Sequence, residues 1–473
     1  MSRDALQAMS VGKSLRVNSI NLALFLVAVF INVVSYHSFA PILIAIFFFI
    51  LFYALLCLPL VGGIWERRIF NRIFTVGLLM AGIAAIYTNQ LEDPSQLFGD
   101  ANSFFEISST SPLRDLPLIE LRSLHEGGLA IKIWATAYDF FSIFGFNRDR
   151  YIGISINICT VALTAVVALK MTRLVFGFDP VRFKLLMLFF SACGLFWLFS
   201  SIHLRDSIIL LLITTLVYVW LYFLQKPVLG CRLLFAVAAS FLASTFLGFL
   251  RGWFAYLPIG IAIIAIVVLF FSAKSSTKFN KYILLFIGLA IVTELVLTFG
   301  EDVKFILSQG KDVYAQLNAD QSSTNSLGTQ LILNQPIFMR LLLGSIYLFI
   351  FPIPFWNGFQ LESVYNLFKS FNVIFFYLLL PLHALAVVKI WKDKSTRTPS
   401  ILFLFCSSFV FIVMIAGTSL ETRHLGVFLP LLFMLALIPD LRVRSVRNLY
   451  KKLLISLLFV VTALHLLWAL LKL

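Results

Sequence analysis

Charge is what this sequence has least of. Only 12% of its 473 residues are Asp, Glu, Lys or Arg, against about 25% in a soluble globule, while 60% are hydrophobic and the mean hydropathy is +0.97. A soluble globular protein is thereby excluded. Cysteine is also sparse: Cys57, Cys159, Cys193, Cys231 and Cys406 stand apart, mostly inside apolar runs, without a C-x-x-C pair. They read as small core residues, and neither a disulfide framework nor a zinc site is indicated. No A-x-A cleavage site follows Arg3, Lys13 and Arg16, so residues 1–18 are expected to be a retained cytoplasmic tail rather than a signal peptide. Internal repeats, low-complexity stretches and a segment able to fold alone as a soluble domain are lacking too.

Long apolar runs stand in their place. A helix needs about 20 such residues to cross a hydrocarbon core of roughly 30 Å, and only helices or closed barrels satisfy their backbone there. Unbroken runs of this length exclude a barrel. They place spans near 19–38, 41–62, 74–90, 151–172, 183–201, 206–225, 232–250, 253–272, 282–299, 368–391, 400–418, 424–440 and 453–472. A further apolar segment near 337–355 holds Pro352 and Pro354 and ends at Trp356. Prolines so close together break a helix and a Trp suits the interface, which predicts a re-entrant or interfacial element. The expected fold is an all-α polytopic membrane protein of about 13 to 14 transmembrane helices, one integral membrane domain over 1–473.

The formal net charge of +15 would suggest nucleic acid in a soluble protein. Here the basic residues sit in short clusters between spans, where they orient the chain, and no nucleic-acid partner is expected. Six clusters, beginning at Arg67, Lys170, Lys226, Lys274, Lys389 and Arg442, fall on one side if 337–355 does not cross completely. Two long intervals, 91–150 and 300–367, then fall on the opposite face, with the turns around His203, Arg251 and Glu421. The 51 phenylalanines are bulk apolar surface, not an aromatic binding site.

The interval 91–150 is the richest in acids. Asp100 follows Gly99 and precedes Ala101-Asn102-Ser103-Phe104-Phe105-Glu106. A carboxylate there suits a general base that takes a proton from an acceptor hydroxyl, or a ligand for a divalent cation. The same position suits the cap of a short interfacial helix starting at Ala101. Glu106, Asp115, Glu120 and Glu126 widen the choice, with Glu92 and Asp93, although Arg114, Arg122 and Lys132 interleave with them and surface pairing accounts for most such groups. His125 is a further candidate for metal binding or proton transfer. Three turns carry arginine: His203-Leu204-Arg205-Asp206, Leu250-Arg251-Gly252-Trp253 and Glu421-Thr422-Arg423-His424. A guanidinium at a helix end suits a lipid-linked phosphate or pyrophosphate, because its planar fork binds two oxygens at once and stays charged. An arginine snorkelling to the interface is the alternative. Lys304, Lys311 and Arg340 belong with the second long interval, whereas Glu294, His383 and His465 lie within spans and form no evident proton relay.

The order of these features resembles the N-terminal module of GT-C superfamily membrane glycosyltransferases, especially the protein-mannosyltransferase-like branch and the bacterial oligosaccharide repeat-unit (O-antigen type) polymerases. The resemblance rests on Gly99-Asp100…Phe104, Gly145-Phe146…Arg150 and His203-Leu204-Arg205-Asp206, with Thr422-Arg423-His424-Leu425-Gly426…Pro430 similar to the start of a late span. It covers residues 75–225 and 415–440, and departs from the pattern in having two earlier spans and no Asp-x-Asp at Asp100. It implies a GT-C-like helix arrangement with short interfacial helices in the extracytoplasmic loops, in a bacterial inner membrane with a cytoplasmic N-terminus. The implied activity moves sugar from a polyprenyl phosphate or pyrophosphate donor to a glycan or glycolipid acceptor at the periplasmic face. Asp100 and Glu106 are then the catalytic candidates, and Arg205, Arg251, Arg423, His203, His424 and Arg340 the candidates for holding the carrier's phosphate. No cofactor is required, since arginines can stabilise the leaving group, though a divalent cation is compatible with the site. Membrane lipid, a chain-length regulator and other envelope biosynthesis proteins are the implied partners. The competing class is a transporter or flippase of lipid-linked saccharides, which calls for paired halves, broken helices and charges buried at midplane; a non-catalytic scaffold is the third.

Overall fold

Apolar length sets the architecture, and polar side chains set where each helix starts, bends and stops. In a computed structural model the chain is described over residues 21–58, 62–89, 99–225, 231–272, 332, 335–352, 355–359 and 363–472. The tail 1–18, the span expected at 282–299, most of 300–367, and Glu92, Asp93, Glu294, Lys304 and Lys311 lie outside the described residues. Every regular element among the described residues is helical. The helices are α1 (21–36), α2 (Ala40–Cys57), α3 (Ile64–Asn89), α4 (Gly99–Ser109), α5 (Leu118–Leu124), α6 (Gly128–Ile143), α7 (Arg150–Phe176), α8 (Pro180–Ala192), α9 (Gly194–Ser201), α10 (Asp206–Gln225), α11 (Cys231–Leu250) and α12 (Leu257–Ser272). They continue as α13 (Ile337–Ile350), α14 (Val364–Lys392), α15 (Pro399–Gly417), α16 (Thr422–Gly426), α17 (Leu429–Ala436) and α18 (Arg444–Lys472).

Nine helices among the described residues are long and apolar enough to cross a membrane, or ten if α8 and α9 count as one bent span. The protein is therefore an all-α, multi-pass membrane protein. Three spans differ from their sequence expectation. Helix α3 starts at Ile64 rather than near 74, because the Glu66 carboxylate accepts from the Gly63 amide at 3.1 Å and caps the helix, and Arg67, Arg68 and Arg72 then continue it. Hydropathy drops at such residues while helix propensity does not. The run expected at 183–201 bends by 59° between α8 and α9. The run expected at 424–440 is two short helices, α16 and α17, with Pro430 in the first turn of the second. Helix α13 is 14 residues long, or about 21 Å, too short for a core of roughly 30 Å.

The chain falls into two units. One comprises Met1–Val166, Met187–Leu211 and Gln360–Phe368, the other Val167–Leu186, Leu212–Phe359 and Lys369–Leu473. In the first, α1 is tied to α3 by two polar groups: Asn32 Nδ2 donates to the Ala28 and Leu78 carbonyls, each at 2.8 Å, and Ser35 Oγ donates to the Gly82 carbonyl at 3.0 Å. Gly82 permits this approach, since a Cβ there would lie 2.8 Å from Ile31. Gly77 does the same for α9, which packs on α3 beside Ser200. Helix α7, whose residues from Val167 onward belong to the second unit, is the most buried of the described spans, with 89% of its apolar window inside the protein. Its hydroxyls stay satisfied there because Thr160, Thr164 and Thr172 donate to carbonyls one turn back at 2.8 to 2.9 Å.

In the second unit, α13 packs on α15, where Gly344 lets the helices approach: a Cβ there would meet Leu420 at 2.8 Å and Ala416 at 3.1 Å. Three of the basic clusters meet in this unit. Asp179 caps α8 through the Val181 amide at 3.0 Å and binds Arg182 at 2.9 Å and Arg442 at 3.0 Å. Arg182 Nε and Lys389 Nζ donate to the Leu437 and Ile438 carbonyls. Burial raises the Asp179 pKa, but the Arg182 and Val181 amides and the two guanidiniums outweigh it and hold the carboxyl below its usual value. Residues of the clusters at 170–184, 389–397 and 442–452 are thus brought together within this unit.

Candidate functional site

The expected active interval, 91–150, is ordered by its own polar groups from residue 99 onward. Arg114 donates from Nη1 to the Ser108 and Ser109 carbonyls at 3.1 Å, closing the end of α4, and pairs with Asp139 on α6. Arg148 reaches the same Asp139 at 2.8 Å and the Ser109 carbonyl at 3.0 Å. These ion pairs and hydrogen bonds hold the end of α4 against α6.

Asp100 sits in the first turn of α4 and is exposed, where the helix dipole favours a carboxylate. His125, Glu126 and Arg205 join it. Ser103 Oγ lies 3.2 Å from His125 Nε2, and Arg205 Nη2 lies 3.1 Å from Glu126 Oε2. Burial lowers the His125 pKa, Arg205 lowers it further, and Glu126 and Asp100 pull it back, so all three charges act on His125. Arg205 stacks over Phe104 at 5.1 Å. Gly127 makes the junction possible: its φ of +97° is closed to most side chains, and a Cβ would stand 2.7 Å from Phe104 and 3.1 Å from Arg205 Nη1. Glu106 goes elsewhere. Six residues along one helix leave it about 120° around the axis from Asp100, and its charge acts on Arg150.

His203 lies below this surface and is 2% exposed. Its Nε2 is 2.9 Å from the Tyr138 hydroxyl, and its ring lies 3.9 Å from that of Trp134 and edge-on to Phe105. The turn that carries it is pinned by Asn157 on α7, whose amide donates to the Ile202 and Leu204 carbonyls at 2.9 and 3.1 Å while its oxygen accepts from Ser207 at 2.8 Å. Burial, reinforced by the nearby Arg150 charge, pushes the His203 pKa down to about 3 from 6.5. The unfolded chain therefore binds this proton below pH 6.5 while the folded one does not, so stability falls as the pH drops through that window and is complete above it. Acidifying the purified protein from pH 6.5 to 5 is expected to cost about 2 kcal/mol, read as a falling melting temperature, and His203→Gln is expected to flatten that dependence.

In the second unit, four cationic side chains converge on the turn 417–424. Arg340, 4% exposed, donates from Nη2 to the Gly417 carbonyl at 2.7 Å. Arg251 Nη1 lies 2.6 Å from His424 Nε2, and Ser419 Oγ lies 2.8 Å from His424 Nδ1. A guanidinium only donates, so Nε2 accepts, and the neutral ring places its proton on Nδ1 and donates it to Ser419. Trp253 and Phe254 flank both partners, with ring centres 5.5 and 5.4 Å from the Arg251 guanidinium. Arg423 is on the turn itself and is buried. Lys369 Nζ lies 4.7 Å from the centre of the Phe351 ring, and its charge acts on that of Glu421.

The candidates thus form two groups: Asp100 and Arg205 near His203 in one unit, and Arg251, Arg340, Arg423 and His424 in the other. Sequence reasoning passed over Lys369, Tyr138 and Asn157. The available signals were a lysine at the start of an apolar span and an asparagine inside another. Among the described residues, no three His, Cys, Asp or Glu side chains are placed to hold a metal ion. No protein-family model, curated protein or solved structure matches the chain.

Proposed function

We propose that this protein is a membrane glycosyltransferase that takes a sugar or oligosaccharide from a polyprenyl phosphate or pyrophosphate donor and transfers or polymerises it into surface polysaccharide at the periplasmic face. The observation that carries the reading is the convergence of Arg251, Arg340, Arg423 and Lys369 on a turn whose one carboxylate is Glu421. Such an excess of buried positive charge suits a phosphate or pyrophosphate, and preorganised guanidiniums stabilise charge that grows on a leaving phosphate. Asp100 is assigned the acceptor: its carboxylate takes the hydroxyl proton as the acceptor oxygen bonds to the anomeric carbon and the carbon–phosphate oxygen bond breaks. Arg205, in the same cluster, is assigned to substrate phosphate, and Glu126 holds it in place. A chain-length regulator is a natural partner for a polymerase of this kind.

The test is genetic and chemical. Asp100→Asn is expected to lower consumption of the lipid-linked donor by about 100-fold or more, and Arg205→Ala to shorten or abolish surface polysaccharide at normal protein level. Unchanged chain length and donor consumption in both would end the enzymatic reading. One observation favours a second: the 59° break between α8 and α9 is the kind of discontinuity found in transporters. A flippase would move a fluorescent lipid-linked saccharide across proteoliposomes without forming a new glycosidic bond.

A further inference from the structure

An open cavity of about 560 Å³ lies in the first unit, where the end of α1, the middle of α4 and the junction of α6 with α7 come together. None of the candidates above lines it. Its apolar walls are Tyr36, Phe105, Phe146 and Tyr151, and its polar groups include Asn147, Asp149 and Arg150. Its volume is within the roughly 300 to 1,000 Å³ of small-molecule sites.

The cavity is built by the fold. Helix α6 ends in a left-handed turn at Gly145, φ +79°, with the Gly145 amide donating to the Ser142 carbonyl and the Phe146 amide to the Phe141 carbonyl. This is the Schellman arrangement, and its usual apolar contact is made by Phe146 edge-on to Phe141 at 5.8 Å. Phe146 is thereby fixed at the wall. Three residues later the Asp149 carbonyl accepts from the Ile152 amide at 3.1 Å and opens α7. Tyr36 meets Tyr151 edge-on at 5.8 Å, and the Arg150 guanidinium lies over Phe105 at 4.9 Å.

We propose that this cavity binds a pyranose ring of a saccharide. A sugar has faces of C–H bonds that pack on aromatic rings and a rim of hydroxyls that need donors and acceptors. The four rings serve the faces; the Asp149 carboxylate, the Asn147 amide and the Arg150 guanidinium serve the rim. The charges of Asp149 and Arg150 cancel, which favours a neutral ring over an anion such as phosphate. The charged groups of Asp149 and Arg150 in the lining also disfavour an acyl chain. The proposal rests on the glycan reading only for why a sugar would be present, since binding is measured without turnover.

The experiment uses the full chain in lipid nanodiscs free of glycosidic detergent, with saturation-transfer NMR against methyl glycosides of glucose, galactose, mannose and N-acetylglucosamine. Transfer to the ring protons of at least one glycoside is expected, falling about ten-fold in Asp149→Asn and likewise in Phe146→Ala, with melting temperatures checked for both. Arg251→Ala is expected to retain it, so that loss of turnover and loss of sugar binding separate. Absence of transfer with every glycoside, or transfer unchanged in both Asp149→Asn and Phe146→Ala, would overturn the proposal.

Discussion

Adding one methyl group at Gly153 is expected to destabilise the protein by about 3 kcal/mol and to lower the yield of folded protein in the membrane severalfold. A Cβ built there would stand 2.2 Å from both Cδ2 and Nε2 of His203 and 3.1 Å from the Tyr138 hydroxyl. His203 has no easy retreat: its ring is held between Trp134 and Phe105, and the Asn157 amide fixes the turn on either side of it. The Gly153 backbone belongs to α7, the most buried of the described spans. Relief therefore requires breaking the Tyr138 to His203 contact or displacing a packed helix, and dense interiors give little under either strain. Gly153→Ala and Gly260→Ala make a clean pair, because a Cβ at Gly260 meets nothing within 4 Å. In detergent, Gly153→Ala should melt well below the parent and Gly260→Ala should not. Truncating the clashing ring in Gly153→Ala/His203→Ala should recover part of the loss. A Gly153→Ala protein with parental melting temperature would show that the His203 ring is not held as described.

The helical spans and the arginine turns were legible because both depend on one-dimensional signals. An apolar run of about 20 residues is a span whatever packs against it, and a charged residue that interrupts such runs marks an end. Hence the breaks at Arg205, Arg251 and Arg423 were visible without coordinates. Contacts between distant segments were not. Asn157 looks like any polar residue in a span until the carbonyls of Ile202 and Leu204, some 45 residues on, are brought to its amide. Lys369 acquires meaning only when Glu421 is folded toward it. The start of α3 was misplaced because hydropathy drops at Glu66, Arg67 and Arg68, where the cap and propensity both favour helix. The divergence of Glu106 from Asp100 could have been read from the sequence once 99–109 was taken as one helix, since about 100° per residue separates them. That its charge acts on Arg150 could not, because α5 and α6 intervene in the chain.

Arg251→Ala is expected to lower donor turnover by about 100-fold or more, while changing stability much less. Two effects act together. The substitution removes a guanidinium that is 7% exposed and flanked by Trp253 and Phe254, where water screens its field poorly and an anion feels it strongly. It also takes away the donor that His424 Nε2 accepts from at 2.6 Å, at a structural cost of about 1 to 3 kcal/mol. The variants divide these contributions. Arg251→Lys keeps the charge but not the planar fork, so it should recover donor binding better than turnover if the fork is needed for the growing charge on the phosphate. His424→Gln offers a side-chain carbonyl to Arg251 and should leave turnover within about ten-fold of the parent if the histidine only positions the guanidinium. Arg340→Ala supplies the comparison within the same turn, because its contact is to the Gly417 carbonyl and a carbonyl has no proton to relay. Turnover that survives Arg251→Ala and Arg340→Ala together, in protein of normal melting temperature, would remove the turn 417–424 from the phosphate site.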